Sequence, residues 1–365
     1  MRTMTAQERR PKRLILAAGG TGGHIWPALS FGAWINKKHP ECDVRYICGS
    51  RPLEREIYAA AGAEPSVLPL DGSPLAGRGP AQKAARLRAL STSYGMASSL
   101  VRDFAPDAAL VFGGYLSLPV IAACRRAGVR CALHEQNARA GKATRLAAKL
   151  GMEIYSGWSE CDPLPKKKFI RAGVPVRDFA LPARGEAWIN LGLDGEAPDG
   201  PVVVAMTGSL GSRSVKDELC RAAQEEAFAR WTFLFAAVSE KIESPSPNVR
   251  LLPKVWDAAQ LYGLADMLVT RAGGSTLTEA AVLGIPALVV PWMKAADNHQ
   301  YFNALAFAGE NDGMIWTEDD GYEALVSALI KLKGIHDGKK KIAGGSGGRG
   351  GAICENLWSL LFPAF

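Results

Sequence analysis

The chain has 365 residues, of which 48% are hydrophobic and 22% charged, and a net charge of +7. That length predicts about two domains, each with material for its own core, and the composition excludes a disordered chain. Seven scattered cysteines without a CxxC pair exclude a disulfide framework and a cysteine zinc site, and fit a reducing compartment. The charge is uneven. Up to Ala180, 27 Lys and Arg face 14 Asp and Glu; beyond it the counts are 16 and 22. A basic N-terminal half suits an anionic partner, phospholipid or nucleic acid, although a solvated face has the same composition. The longest uncharged apolar run, residues 280–293, holds two prolines and is too short to span a bilayer. The apolar run behind the basic N-terminus, residues 14–18, reads as a strand and not as a signal peptide.

Residues 1–11 read as a leader. Residues 13–18 predict a first strand, followed by Gly19-Gly20-Thr21-Gly22-Gly23-His24 and a helix from about Trp26 or Pro27 to Lys38. A glycine turn between strand and helix is the arrangement of a phosphate cradle. It is not GxGxxG, and no acidic residue lies at the spacing of a dinucleotide ribose, which disfavours a Rossmann dehydrogenase. His24 falls at the helix start, where the dipole disfavours an imidazolium, so a neutral general base is one reading. A histidine bonded to a loop carbonyl is the other. Strands at 44–48 and 66–70 flank a helix at 53–61. A Gly/Pro loop, 72–80, carries Leu75 and Arg78; a long helix, 81–104, carries Lys83, Arg86 and Arg88 near its start. Apolar and basic residues together suit a membrane surface, and equally an ordinary solvated helix. A strand at 108–112 leads to Gly113-Gly114-Tyr115 and a helix at 118–127. The strand 130–133 ends on His134-Glu135-Gln136-Asn137. Polar residues at a strand's carboxyl end are where open α/β sheets bind ligands.

The pattern then restarts. Gly173–Arg177 and the Pro/Gly/Asp-rich stretch 181–201 read as a domain junction, with domains expected at 12–172 and 173–345, and a C-terminal helix, 346–365, returning to the first. Strand 202–206 precedes a third turn, residues 207–212, which contains Ser209. Strand 267–270 leads to Ala272-Gly273-Gly274, a helix ending near Leu283 with Gly284 as its stop, and strand 287–290. Glu279 lies one turn into that helix and suits the hydroxyls of a ribose. Thr276-x-x-Glu279 also fits a capping box, in which the glutamate only satisfies a backbone amide. Strands alternating with helices predict an α/β protein of two facing, Rossmann-like, doubly wound domains with a ligand in the cleft.

Seven segments occur in order: GGTGGH (19–24), GGYLSLP (113–119), HEQNARAGKATRLA (134–147), PVR (175–177), TGSLGS (207–212), RAGGSTLTEAAVLGIPALVVP (271–291) and AADNHQYFNA (295–304). With them the chain closely resembles, over about residues 13–335, the MurG family of GT-B glycosyltransferases. The resemblance implies a membrane-associated enzyme of peptidoglycan synthesis. Its reaction would move N-acetylglucosamine from UDP-N-acetylglucosamine to the muramyl 4-hydroxyl of lipid I, with inversion, giving lipid II. Implied partners are these two substrates, an anionic membrane surface and other cell-wall synthesis proteins, with no nucleic acid. The implied location is the cytoplasmic face of the inner membrane, held peripherally.

By the same resemblance Glu279 would hold the ribose, with Gly274, Ser275, Thr276, Leu277 and Thr278 around the phosphates and ribose. Val255 and Trp256 would meet the uracil, Ser209 the diphosphate and Gln300 the sugar hydroxyls. Arg177 would also reach the donor, while Thr21, Gly22, Gly23 and Asn137 close over the sugar, and His24 would be the base. The acceptor's diphosphate is expected at Gly19, Gly20, Gly113, Gly114 and Tyr115, and the membrane at Leu75, Arg78, Lys83, Arg86 and Arg88. No DxD motif occurs, so the leaving diphosphate is expected to be stabilised by helix N-termini and glycine amides, with no obligatory metal or other cofactor. The chain departs from the family pattern at Val174, commonly Asn, and at Leu210, commonly Gln; each swap removes a polar side chain. Rival readings are a GT-B enzyme with another acceptor, a UDP-sugar epimerase, and a nucleotide-sugar-binding scaffold in which His24 and Glu279 are idle.

Overall fold

The computed structural model describes residues 11–73, 79–206, 213–236, 244–253, 255, 257–338 and 347–363. It divides into two compact units, residues 1–177 with 351–365, and residues 178–350.

The first unit runs β1 (Arg13–Ala17), α1 (Gly22–Lys38), β2 (Asp43–Cys48), α2 (Pro52–Ala60), β3 (Ser66–Val67), α3 (Pro80–Phe104), β4 (Ala108–Val111), α4 (Ser117–Arg126), β5 (Arg130–Glu135), α5 (Lys142–Lys149), β6 (Glu153–Ser156) and β7 (Ile170–Arg171). Its seven strands form one sheet in the order β3-β2-β1-β4-β5-β6-β7, and every pairing is parallel. Helices cover both faces, so the central strands are apolar throughout rather than alternating. Leu14 and Leu16 of β1 enter one core with Leu110 and Phe31; Ile15 and Ala17 enter the other with Val111 and Val101. That is the period of two expected of a strand buried on both sides.

The second unit runs α6 (Arg184–Asn190), β8 (Val202–Met206), α7 (Arg213–Ala223), β9 (Thr232–Phe235), β10 (Val249–Leu251), α8 (Ala258–Leu264), β11 (Met267–Thr270), α9 (Gly274–Leu283), β12 (Ala287–Val289), α10 (His299–Glu310), β13 (Gly313–Ile315) and α11 (Tyr322–Gly338). Its six parallel strands follow the order β10-β9-β8-β11-β12-β13. Each sheet therefore reverses direction once, between β1 and β4 and between β8 and β11. Such switch points open a crevice at the strands' carboxyl ends, where ligands bind.

The last helix, α12 (Gly347–Leu361), packs on the first unit. Cys354, Leu357, Trp358 and Leu361 join its core, and Arg130 donates to the carbonyls of Leu360 and Leu361 at 3.0 and 2.6 Å. Three boundaries differ from the sequence expectation. The junction falls at 177/178 rather than 172/173, because Val174 and Val176 are buried and Arg177 stacks over Trp26 of the first unit, 4.6 Å from its ring. The stretch expected to be only a junction, 181–201, holds α6, which buries Ala187 and Trp188. Helix α1 begins at Gly22, so His24 lies inside its first turn.

Candidate active site

In the first unit, the turn after β1 and the turn after β4 lie side by side at the switch point. Gly113 and Gly114 both adopt left-handed backbone, with φ of 76° and 74°. A side chain there would be strained, and its Cβ would lie 3.7 Å from the His24 ring in either case. The two glycines thus let the backbone pass beside the imidazole. Gly114 runs along the edge that carries Nε2, 3.9 Å from such a Cβ, and Gly113 along the edge that carries Nδ1, also at 3.9 Å. Thr21 and Gly23 are exposed at the helix mouth and Gly22 is half-buried.

His24 is half-buried, and its Nδ1 lies 2.6 Å from Gln136 Oε1, at the end of β5. The Gln136 nitrogen lies 2.8 Å from the His134 carbonyl and 2.9 Å from His134 Nδ1. His134, fully buried, places Nε2 2.8 Å from the carbonyl of Gly173. Burial lowers its pKa to about 4; the Gly173 bond and the Glu135 charge oppose that shift and His24 adds to it. Glu135 is also buried and serves its own loop. It accepts the Asn137 amide and side-chain nitrogen, both at 3.0 Å, the Gly141 amide at 2.9 Å and the Thr144 hydroxyl. Asn137 is therefore fixed in place beside Gln136, with its Nδ2 committed to the loop.

Glu54 and Arg51 carry no local motif in the sequence. Glu54 of α2 is fully buried, yet its carboxylate accepts the Gly20 amide at 2.8 Å, the Gly49 amide at 2.6 Å and the Tyr115 hydroxyl. Tyr115, expected at the acceptor's diphosphate, donates its hydroxyl to Glu54, and burial with that bond pushes its pKa up. Arg51, which precedes α2, donates to the Asp71 carbonyl, reaches the Gly20 carbonyl at 3.5 Å and stacks 5.3 Å from the Tyr115 ring. Its only signal in the sequence is its place between a strand and a helix. Arg86 was expected to face a membrane; its guanidinium donates to the Ser73 carbonyl at 2.8 Å and pairs with Asp71 at 3.8 Å. Lys83 and Arg88 are exposed, beside an exposed Leu87. Leu75 and Arg78 lie outside the described residues.

In the second unit, α9 starts at Gly274, directly after β11, with Gly273 as its cap. Thr276 is thus a helical residue and not a cap, which removes the capping-box alternative for Glu279. Glu279 is 3% exposed, and its carboxylate accepts the Tyr262 hydroxyl at 2.5 Å. The first-turn amides of α9 point out of its N-terminus. Ser275 and Thr276 are half-buried there. Leu277 is fully buried and the Thr278 hydroxyl donates back to the Gly274 carbonyl at 2.9 Å, so it is through their backbone that these two residues can face a ligand. Asn303 braces the turn by donating to the Ala272 carbonyl at 2.9 Å, and Arg271 by donating to the Val290 carbonyl at 3.1 Å. Gln300 accepts the Trp292 amide at 2.8 Å, following two left-handed residues, Asp297 and Asn298. Val255 is half-buried. Ser209, Leu210 and Trp256 lie outside the described residues. Val174 is fully buried against Gly157, so its exchange for a polar residue concerns the core of the first unit.

Residues 14–156 match the glycosyltransferase family 28 N-terminal domain and residues 232–338 the family 28 C-terminal domain. A relative from Desulforudis audaxviator, a UDP-N-acetylglucosamine-N-acetylmuramyl-(pentapeptide) pyrophosphoryl-undecaprenol N-acetylglucosamine transferase, is 33% identical over 343 residues, covering 87% of this chain and 89% of the relative. Among solved structures, MurG of Acinetobacter baumannii superposes with a TM-score of 0.67 at 22% identity, covering 95% of each chain. A UDP-GlcNAc 2-epimerase of Neisseria meningitidis, bound to UDP-GlcNAc, gives 0.62 at 12% identity, covering 96% of this chain and 99% of its own. The fold is therefore common to transferases and epimerases, and the sequence match decides between them. The chain belongs to the MurG family of pyrophosphoryl-undecaprenol N-acetylglucosamine transferases, within glycosyltransferase family 28.

Proposed function

We propose that the protein transfers N-acetylglucosamine from UDP-N-acetylglucosamine to the muramyl 4-hydroxyl of lipid I, with inversion, giving lipid II. The observation that carries this reading is the 33% identity, over most of both chains, to a transferase named for that acceptor. His24 takes the proton of the 4-hydroxyl on Nε2 as the oxygen attacks the anomeric carbon. The bond from that carbon to the diphosphate breaks on the opposite face, and UDP departs with the electron pair. The α9 N-terminus stabilises the growing charge on the diphosphate by oriented amides, without an obligatory metal. Glu279 holds the ribose hydroxyls. The enzyme works at the cytoplasmic face of the membrane, held peripherally; among the described residues no helix is long and apolar enough to cross a bilayer.

The test is transfer of labelled N-acetylglucosamine to a short-chain lipid I analogue by the wild type and His24→Ala. The expected result is transfer by the wild type, reduced about 10²–10⁴-fold in the variant with donor binding retained. Conversion of UDP-N-acetylglucosamine without acceptor would favour an epimerase. Donor binding without transfer to lipid I would move the reading to another acceptor.

A further inference from the structure

We infer that Gln136 and His134 are positioning residues that lock His24 in the tautomer bearing its proton on Nδ1, so that the lone pair of Nε2 stays available to the acceptor hydroxyl. The inference rests on the assignment of His24 as the base and adds what prepares it.

Two atoms at the inner end of the chain cannot change character. The carbonyl oxygens of Gly173 and His134 are acceptors only. His134 Nε2, 2.8 Å from the Gly173 carbonyl, must therefore carry the hydrogen. In a neutral ring this leaves Nδ1 with a lone pair. The end of the Gln136 amide that meets both that lone pair, at 2.9 Å, and the His134 carbonyl, at 2.8 Å, must be the NH2 group, since an oxygen there would face two acceptors. Its oxygen then faces His24 Nδ1 at 2.6 Å and can only accept, so His24 donates from Nδ1. Every link is a hydrogen bond with one allowed direction: His24 to Gln136, Gln136 to His134, His134 to Gly173.

Three features keep the chain from reversing. His134 is fully buried, which holds it neutral well below neutral pH, to about 4. Gly173 is itself fixed, with left-handed φ of 83° and a Cβ position only 2.9 Å from Ile353 of α12. Gln136 is 2% exposed and its backbone carbonyl accepts the Trp158 indole at 3.0 Å, so the amide has no solvent to turn towards. A neutral amide in this place orients the base as the carboxylate of a Ser-His-Asp triad does, but adds no charge of its own.

The experiment is a long-range proton–nitrogen NMR spectrum of the five imidazoles in the intact protein, in the wild type and Gln136→Met, beside steady-state transfer kinetics. The wild type is expected to show His24 as the Nδ1–H tautomer and His134 as the opposite, Nε2–H tautomer. In Gln136→Met the His24 preference should be lost, and kcat should fall about 10–100-fold while KM for UDP-N-acetylglucosamine changes little, a smaller loss than removing the base itself. A wild-type His24 protonated on Nε2 overturns the inference with no variant needed, and so does an unchanged tautomer or an unchanged kcat in Gln136→Met. Full turnover by His24→Ala, with the wild-type tautomers as expected, overturns instead the base assignment beneath it.

Discussion

The Glu54 carboxylate accepts the backbone amide of Gly20 at 2.8 Å, across 34 residues of sequence, and thereby ties α2 to the glycine turn beside His24. The same buried carboxylate takes the Gly49 amide and the Tyr115 hydroxyl. Glu54→Ala would leave two buried amides and a phenol unsatisfied, at about 1–3 kcal/mol for each group that cannot reach water. The expected loss of stability is about 3 kcal/mol or more in urea titration, with transfer reduced because the turn loosens. Tyr115→Phe removes one donor only. It should cost about 1 kcal/mol, and KM for the lipid acceptor should stay unchanged if the hydroxyl serves Glu54 alone.

Glu279 and Tyr262 meet at 2.5 Å inside the second unit, and the phenol sets the position of one carboxylate oxygen. If the carboxylate receives ribose hydroxyls, its removal costs hydrogen bonds to a charged group, each about 1.5–3 kcal/mol. Glu279→Ala should raise KM for UDP-N-acetylglucosamine about 10–100-fold. Tyr262→Phe should raise it by only a few-fold, with kcat nearly unchanged. Titration calorimetry with UDP separates these effects from turnover; equal UDP affinity in all three proteins would place the ribose elsewhere.

How much of this was legible in the sequence follows from the range of each interaction. Strand, glycine turn and helix were readable because they are encoded by neighbours: the apolar run 14–18 and the glycines behind it give β1 and its turn, and Gly284 ends α9 as a left-handed cap. The partners of the site were not readable. Gln136 reaches His24 over 112 residues and Glu54 reaches Gly20 over 34, and no local period records such pairs. The junction was misplaced for a related reason. Composition marks Gly173–Arg177 as irregular but cannot say which core buries Val174. Helix α6 was hidden by the prolines and glycines around it, although Trp188 within it is buried.

His134 carries a pH dependence of stability whose sign is fixed by its lowered pKa. Unfolded, the ring takes up a proton near pH 6.5; folded, it stays neutral to about 4, first because it is buried. Between those values the unfolded chain binds more protons, so stability falls as pH drops from about 6.5 to 4 and changes no further from this group below that. The full window amounts to about 3 kcal/mol at 1.4 kcal/mol per pH unit. His134→Phe should flatten the difference: the gap in urea stability between wild type and variant should narrow by that order from pH 7 to pH 4.

Chelation tests how the leaving diphosphate is stabilised. With no DxD motif in the chain and the charge assigned to the α9 N-terminal amides, turnover of metal-stripped protein in excess EDTA should stay within about twofold of the untreated enzyme. Loss of several kcal/mol of transition-state stabilisation, restored by added magnesium, would return the role to a cation.

The membrane contact can be tested at residues whose charges have no ion-pair partner among the described residues. Arg86 binds the Ser73 carbonyl and Asp71, so reversing its charge would disturb the loop as well as any lipid contact. Lys83 and Arg88 are exposed near the start of α3 on either side of Leu87, which is 57% exposed. A basic residue close to an anionic bilayer contributes about 1 kcal/mol, so losing two costs about 2 kcal/mol, and the repulsion of the new carboxylates adds to that. Lys83→Glu with Arg88→Glu should therefore weaken binding to phosphatidylglycerol-containing vesicles roughly 30-fold or more in co-sedimentation at low salt. Wild-type binding should fall towards that of the variant in 0.5 M salt, roughly where the screening length drops below 5 Å. Transfer to a short-chain, water-soluble acceptor should be unaffected in the double variant, whereas transfer to vesicle-embedded lipid I should decline. Equal vesicle binding by both proteins would remove the start of α3 from the membrane face.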